Sequence, residues 1–416
     1  MNIFHFSDKI LKIAEEAEKM ISDKFTAIDE TAFYNQMKVQ KAFSDNRIST
    51  AHFNPTSGYG YDDEGRDSLD KVYADVFSCE TALVRPNIIS GTHALAVMLF
   101  SVLRPGDKLL SVTGSPYDTL TDVISGKNIG SLADFGINFE KIDLKDGHPD
   151  LLSIKKALAD NTVKAVLIQR SKGYDLRPSL TIADIKELCI YIREVKSDTI
   201  ILVDNCYGEF VETCEPVFVG ADLMAGSLIK NPGGGLAPTG GYLAGKKDLI
   251  ILAAHRLTAP GIGLDCGCNY GMIKQMYQGF YMAPHIVAQS LKTALFCAAT
   301  AKLLGYEISP DTEDARSDII QAIKFGNPES IIAFCGGIQK GSPVDSHVSP
   351  IPWAMPGYSD EVIMAAGAFN QGSSIEISAD APMREPYVIY MQGGLTYESG
   401  KLAVMFAFEN VLSLEK

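Results

Sequence analysis

The stretch Gly226-Ser-Leu-Ile-Lys-Asn-Pro-Gly-Gly-Gly235 places a single lysine among small residues, and a second glycine-rich run follows at residues 239–245. Lys230 comes three positions after Ser227, whose hydroxyl can face the same way. The glycines allow the backbone to approach closely whatever the lysine carries. A lysine beside a turn is often a plain surface charge, so this interpretation depends on the rest of the chain.

A continuous apolar run at residues 200–203 ends at Asp204. Such a run is typical of a buried parallel strand, which would deliver Asp204 to its carboxyl end. Ligands of open α/β sheets bind at that edge. A buried acid and Lys230 directed to one crevice indicate a cofactor with a cationic ring nitrogen and an aldehyde, which is pyridoxal phosphate (PLP).

A phosphate site is predicted at Ser90-Gly-Thr-His-Ala94, between a predicted strand and an apolar helix. Backbone N–H groups at a helix N-terminus bind phosphate well, and Ser90 and Thr92 add hydroxyls. The segment lacks the Gly-Lys-Ser/Thr of a P-loop and the glycine spacing of a dinucleotide fingerprint. ATP and NAD are therefore disfavoured.

Three further roles follow if the cofactor is PLP. Tyr117, in Gly114-Ser-Pro-Tyr117, follows the next strand by a turn, and its ring either stacks on a planar cofactor or closes off the sheet edge. Asp204 would keep the pyridine nitrogen protonated, unless it merely caps a helix. Lys230 would form the Schiff base, and Ser227 would reach the phosphate.

The order of phosphate turn, tyrosine, aspartate and lysine resembles that of fold type I PLP enzymes. Within them the chain is similar to the cystathionine and methionine gamma-lyase group, and most of all to its aluminium-resistance branch. The resemblance covers nearly the whole chain and is carried by five segments: residues 58–67, 90–93, 203–210, 230–242 and 392–396.

This resemblance implies a role for each matching residue. It makes Lys230 the Schiff-base lysine, Asp204 the pyridinium partner and Tyr117 the stacking ring, and it gives the phosphate three donors: Gly91, Thr92 and Ser227. In the family, a tyrosine and an arginine near the N-terminus reach the neighbouring subunit's phosphate site, so a homodimer or homotetramer is implied.

Two departures from the family pattern concern the phosphate shell. The loop that would reach the neighbouring subunit offers Tyr59 and Tyr61, without an arginine at the usual spacing. The hydroxyl that normally precedes the lysine is replaced by Ile229. These departures leave the details of phosphate binding and the substrate open.

The substrate carboxylate needs a cation, preferably a planar bidentate one. Arg384 is the first candidate, because the C-terminal domain supplies this arginine in the family. Arg170, after the predicted strand at residues 163–168, is the competitor, and a surface salt bridge is the alternative for each.

Composition narrows the classes of function. The chain of 416 residues has a formal net charge of −14 and a pI near 5.0, which argues against a nucleic-acid partner. No apolar run is long enough to span a membrane and no secretory signal is recognisable, so a cytoplasmic protein without a membrane partner is expected. Eight scattered cysteines fit a reducing compartment, and Cys266-Gly-Cys268 is unlike zinc spacing, so no metal is expected.

Predicted strands and helices alternate from about residue 80 to 250, which indicates α/β architecture with a large, doubly wound, mostly parallel sheet. We expect a helical arm and loop at residues 1–60, the PLP-binding domain at 61–270 and a smaller α+β domain at 271–416. In the last of these, residues 272–304 read as helix broken at Pro284, and residues 330–335, 374–377 and 387–391 read as strands.

The leading hypothesis is a PLP-dependent carbon–sulfur lyase acting on a sulfur-containing amino acid. Lys230, once displaced by the substrate amine, would remove the α-proton, the ring would hold the electrons, and a β- or γ-thiolate would leave. Two alternatives stay open: an aminotransferase or another reaction at the α-carbon, and a catalytically weak scaffold that binds PLP.

Overall fold

The computed structural model describes residues 2–414 and contains two β-sheets. The larger sheet has the strand order β1-β7-β6-β5-β4-β2-β3. Only β7 runs antiparallel to its neighbours within this sheet, so the predicted mostly parallel sheet is confirmed. Its strands are β1 Thr81–Arg85, β2 Lys108–Ser111, β3 Asn138–Lys141, β4 Val163–Gln169, β5 Ile200–Asp204, β6 Leu223–Ser227 and β7 Gly241–Gly245.

Helices cover both faces of this sheet. Alternate residues of β5 enter different cores: Ile201 and Val203 pack on one face and Leu202 on the other. A strand buried on both faces has no polar side to expose, which explains its continuous apolar sequence. The helices are α1 Asp8–Ile21, α2 Lys24–Asp45, α3 Glu64–Phe77, α4 Gly91–Val102, α5 Asp118–Ser125, α6 Leu151–Leu158, α7 Ile182–Val195, α8 Lys247–Leu257, α9 Ile273–Leu303, α10 Pro328–Gly341 and α11 Tyr397–Ser413.

The smaller sheet is antiparallel and has the order β10-β11-β12-β9-β8. Helices α10 and α11 pack together and share a core with this sheet. The smaller α+β unit expected near the C-terminus is therefore present. Its strands are β8 Glu307–Ser309, β9 Gln321–Lys324, β10 Val362–Ala365, β11 Ser378–Pro382 and β12 Val388–Gln392.

The N-terminal arm, which the sequence predicts to be helical, forms two helices. The Ser7 hydroxyl caps α1 by accepting from the Ile10 N–H. Helix α1 packs with the core of the smaller sheet, whereas α2 packs on α9 and α3. The expected boundary at residue 60 stays a prediction, and residues 1, 415 and 416 lie outside the described part of the chain.

Helix α9 is continuous through Pro284, so the predicted break there is wrong. The helix contributes Tyr277 and Phe280 to the core of the larger sheet and Phe296 to the core of the smaller one. Packing along its length compensates for the one backbone hydrogen bond that proline removes. Because α9 belongs to both cores, a domain boundary near residue 270 also stays a prediction.

Two predicted strands of the C-terminal region are misplaced. Residues 330–335 lie inside α10, which starts with the Asn327 side chain accepting from the Ser330 N–H at 2.8 Å and with Pro328 in the first turn. Residues 330–335 form a short apolar run that resembles a buried strand, and the helix-start signals lie just before it. Residues 374–377 precede β11, while residues 387–391 match β12 within one position.

Within residues 2–414, no helix combines the length and the apolar character that crossing a membrane requires.

Candidate active site

A cavity of about 330 Å³ lies between the two sheets. Its size falls in the range of small-molecule sites. Residues from both parts of the chain line it, and they include seven of the residues singled out above: Ser90, Gly91, Thr92, Tyr117, Asp204, Ser227 and Lys230.

The larger sheet brings Asp204 and Lys230 together through simple topology. Strands β5 and β6 are parallel neighbours, and Asp204 pairs with Ala225 near the end of β6. Lys230 follows the last residue of β6, Ser227, by three positions. Because the carboxyl ends of parallel strands meet at one edge, the acid and the lysine face the same crevice.

The N-terminus of α4 provides an anion cradle at the same edge. The Ser90 hydroxyl accepts from the His93 N–H at 3.0 Å and so caps the helix. A Cβ atom at Gly91 would lie 3.3 Å from Cys206 Sγ, 3.5 Å from Ser227 Cβ and 4.0 Å from Lys230 Nζ. Glycine therefore keeps the space open beside free helix N–H groups, where a phosphate binds well.

The charges of Asp204 and Lys230 depend on each other. Burial raises the pKa of Asp204, while the Lys230 ammonium and the Cys206 N–H, 3.1 Å from Oδ1, act to lower it. For Lys230, burial lowers the pKa, but the acidic groups around it, including Cys206, Tyr207 and Asp204, outweigh burial and raise it. A second cation bound beside Asp204 would weaken the effect of Asp204 on Lys230. The pKa of Lys230 would then decrease, which favours its neutral amine.

Tyr117 is held firmly at the start of α5. Its N–H donates to Gln169 Oε1 at 2.7 Å, and its hydroxyl shares a hydrogen bond of 2.6 Å with the Tyr358 hydroxyl. Burial raises the pKa of Tyr117 well above the ordinary value, so the phenol is neutral. A fixed, uncharged ring of this kind suits stacking on a planar ligand.

Several cavity residues were missed in the sequence. Gln169 ends β4 and pairs with Asp204, so it could have been found by the same strand-end argument. Tyr207 follows β5, and its ring centroid lies 3.9 Å from Lys230 Nζ. Tyr358 and Asp380 come from the C-terminal region, where no local signal indicated a site.

Four predicted site residues lie outside this cavity lining. Tyr59 and Tyr61 are exposed and stack on each other, with ring centroids 5.4 Å apart. Arg170 is fully buried and pairs with Glu212 at 2.8 Å, so its guanidinium serves an internal network instead of the cavity.

Arg384 pairs with Asp360 at 2.7 Å, and both side chains are partly exposed. Among residues 2–414, no arginine lines the cavity. The position of Arg170 does not suit a substrate-carboxylate ligand, because moving it would leave buried acids without their cation.

The comparisons with known proteins agree with this geometry. The family model of methionine gamma-lyase matches residues 10–412. A carbon–sulfur lyase involved in aluminum resistance from Clostridium novyi NT is 53% identical, with a TM-score of 0.93, over 97% of this chain and 96% of that one. A proposed cystathionine beta-lyase involved in aluminum resistance from Clostridium acetobutylicum is 50% identical, with a TM-score of 0.96, over 99% and 97% of the two chains.

More distant structures support the fold alone. The PLP-dependent protein YhfS from Escherichia coli is 17% identical, with a TM-score of 0.61, over 94% of this chain and 97% of its own. The predicted fold type I architecture is thereby confirmed. The match over nearly the whole chain shows that this protein belongs to the methionine gamma-lyase family.

Proposed function

We propose that the protein is a PLP-dependent carbon–sulfur lyase acting on a sulfur-containing amino acid. The observation that carries this proposal is the placement of Lys230 and Asp204 in one buried cavity beside the N-terminus of α4. The family supports the reaction class, and the names of the two clostridial structures point the same way.

The residues present fit the cofactor. Lys230 would hold its aldehyde, Asp204 its ring nitrogen, and Tyr117 one face of the ring. The phosphate would lie at the cradle formed by Gly91 and Ser227, where a larger residue 91 would close the space. When bound, PLP supplies an electron sink that stabilises negative charge at the substrate α-carbon.

The chain's own residues would then act on the substrate. Lys230, once freed from the cofactor, serves as the base that removes the α-proton. The cavity is also lined by apolar side chains, which suit a thioether and exclude water; they are Ile229, Met355, Met364 and Ala366. A dry wall of this kind protects a reactive intermediate from solvent.

Arg384 is the proposed ligand of the substrate carboxylate. Its partner Asp360 is partly exposed, and exposed ion pairs contribute little free energy, so exchanging this partner for a substrate would cost little. Arg384 influences the pKa of Asp118, which begins α5 directly after the cavity residue Tyr117. These observations support Arg384 as the carboxylate ligand in this proposal.

A second copy of the chain is the proposed partner. Tyr59 and Tyr61 present two large exposed rings that a neighbouring subunit would bury. In this proposal their hydroxyls complete the phosphate site of the other subunit, as the family pattern suggests. Restored activity after mixing a Tyr59→Ala/Tyr61→Ala variant with a Lys230→Ala variant would support this proposal. Monomers that are fully active would contradict it.

The decisive test combines a spectrum with product analysis. The purified protein with added PLP should show a visible absorption band. Incubation with cystathionine, cysteine, homocysteine or methionine should release ammonia, a keto acid and a thiol or hydrogen sulfide in equal amounts. Conversion of the cofactor to pyridoxamine without thiol would instead identify an aminotransferase. A protein that binds PLP and turns over none of these amino acids would identify a scaffold.

A further inference from the structure

Strand β11 presents a second acid to the cavity. Its residues alternate between two environments: Ala379 and Ala381 pack in the core of the smaller sheet, whereas Ser378 and Asp380 line the cavity. This is the two-residue period of a strand with one face in a core and the other on a site. Asp380 therefore faces Lys230 from the opposite wall.

Asp380 has one oxygen without a partner. Gln392 Nε2 donates to Asp380 Oδ2 and to Ser378 Oγ, each at 2.8 Å, which uses both amide hydrogens. Asp380 Oδ1 has no hydrogen-bond partner among residues 2–414, although the residue is only 7% exposed. Leaving a buried carboxyl oxygen unpaired costs free energy, so its presence in a cavity wall indicates a ligand.

Within the described part of the chain, six titratable groups act electrostatically with Asp380, and all but Cys335 and Tyr174 line the cavity. They are Lys230, Cys335 and four tyrosines, namely Tyr117, Tyr174, Tyr207 and Tyr358. Burial raises the pKa of each tyrosine and of Cys335, so Lys230 is the cation of this set at neutral pH. Burial also raises the pKa of Asp380 to about 7, against smaller lowering by Gln392 and Lys230.

We propose that Asp380 is a catalytic residue that donates a proton to the sulfur of the leaving group. The inference rests on the proposed lyase function. As the carbon–sulfur bond breaks, its electron pair goes to sulfur, and the proton moves from Asp380 to that sulfur. A neutral thiol leaves, and Asp380 remains as a carboxylate that regains its proton from water.

The other groups of the cavity suit this role less well. Lys230 lies on the opposite wall and, in the proposed function, removes the proton from the substrate α-carbon. The cavity tyrosines have pKa values raised by burial, which makes them weaker acids than an ordinary phenol. A proton donor works best when its pKa lies near the working pH, and Asp380 meets that condition.

The inference predicts a dependence on the basicity of the leaving thiolate. An alkanethiolate is a poor leaving group and needs the proton, whereas a nitro-substituted aryl thiolate leaves without it. Asp380→Asn keeps the shape of the side chain and removes the acid. Release from S-ethyl-cysteine or S-ethyl-homocysteine should fall at least about 10²-fold, whereas release from the S-(4-nitrophenyl) counterparts should fall less than about 5-fold.

Two controls distinguish the loss of the Asp380 acid from a structural effect of the substitution. Asp175→Asn makes the same chemical change at an exposed loop position and should spare both substrate types. The visible cofactor band should persist in Asp380→Asn, because the cofactor is held by the other wall. In the protein without substrate, the infrared band of a protonated carboxylic acid near neutral pH should weaken in Asp380→Asn.

A second variant guards against a folding defect. In Asp380→Ala, added imidazole should restore part of the S-ethyl release, because its cation is a small acid with a pKa near the working pH. Equal losses on both substrate types, no rescue by imidazole, or an unchanged infrared band would overturn the inference and leave the lyase intact. A wild-type protein that releases no thiol from any of these substrates would overturn the proposed function and this inference with it.

Discussion

The two walls of the cavity differ in how their charges are satisfied. On the wall built by the parallel sheet, Asp204 and Lys230 neutralise each other, and Asp204 also accepts from the Cys206 N–H. On the wall built by the antiparallel sheet, Asp380 keeps one oxygen unpaired among apolar side chains and tyrosines. In the proposed function, the first wall holds the cofactor with fixed charges, and the second meets a group that arrives with the substrate.

Lys230→Ala is expected to have the largest effect on the function of the first wall. Without the amine, the visible absorption band should disappear and thiol release should fall at least about 10³-fold. Lys247→Ala, the same change at an exposed position, should alter neither quantity. A Lys230→Ala protein that still forms the visible band would show that another amine carries the cofactor.

Asp204→Asn tests the charge on the same wall. We expect thiol release to fall on the order of 10²-fold, because a neutral amide cannot keep the ring nitrogen protonated. Removing the carboxylate also removes one cause of the raised pKa of Lys230, so that pKa should decrease. The rate at which Lys230 reacts with added PLP should therefore extend to lower pH than in the wild type. An unchanged pH profile would contradict the proposed coupling.

Gly91→Ala tests the cradle. The new Cβ would lie 3.3 Å from Cys206 Sγ, so this thiol must shift by a few tenths of an ångström. We expect the dissociation constant of PLP to increase about 10-fold, a change of roughly 1.4 kcal/mol. Gly336→Ala on α10 meets its nearest atom at 3.7 Å and should leave PLP binding unchanged.

The smallest expected effect concerns the free energy of unfolding and its dependence on the protonation of Asp380. The folded-state pKa of Asp380 is raised from 3.8 to about 7, so the folded protein holds a proton there that the unfolded chain has lost. This contribution to stability is complete below pH 4 and is lost as pH rises through 7. Wild-type stability relative to Asp380→Asn should therefore fall by about 1.3 kcal/mol between pH 5 and pH 6 in urea unfolding. A difference that stays constant with pH would contradict the raised pKa.

The first wall was predictable because its residues follow strand ends. Asp204, Lys230 and Gly91 each come directly after or just beyond an apolar run, and parallel topology brings such positions to one edge. Asp380 and Tyr358 depend on how the smaller sheet docks against the larger one. No local periodicity encodes that docking, which is why they were missed.

Arg170 shows the opposite failure. It follows β4 directly, and this position predicts a site residue, yet its side chain points into a network with Glu212, Glu215 and Asn205. The position of a residue along the chain indicates which sheet edge it occupies. The direction of its side chain is decided by partners that are distant in sequence.

Helix α9 gives the two walls a common support. Its 31 residues span about 45 Å and pack first against the larger core and then against the smaller one. The distance between the two walls therefore depends on how α9 packs in the two cores. Pro284 lacks the backbone donor that the interior of an α-helix normally supplies, so bending α9 costs least at this position.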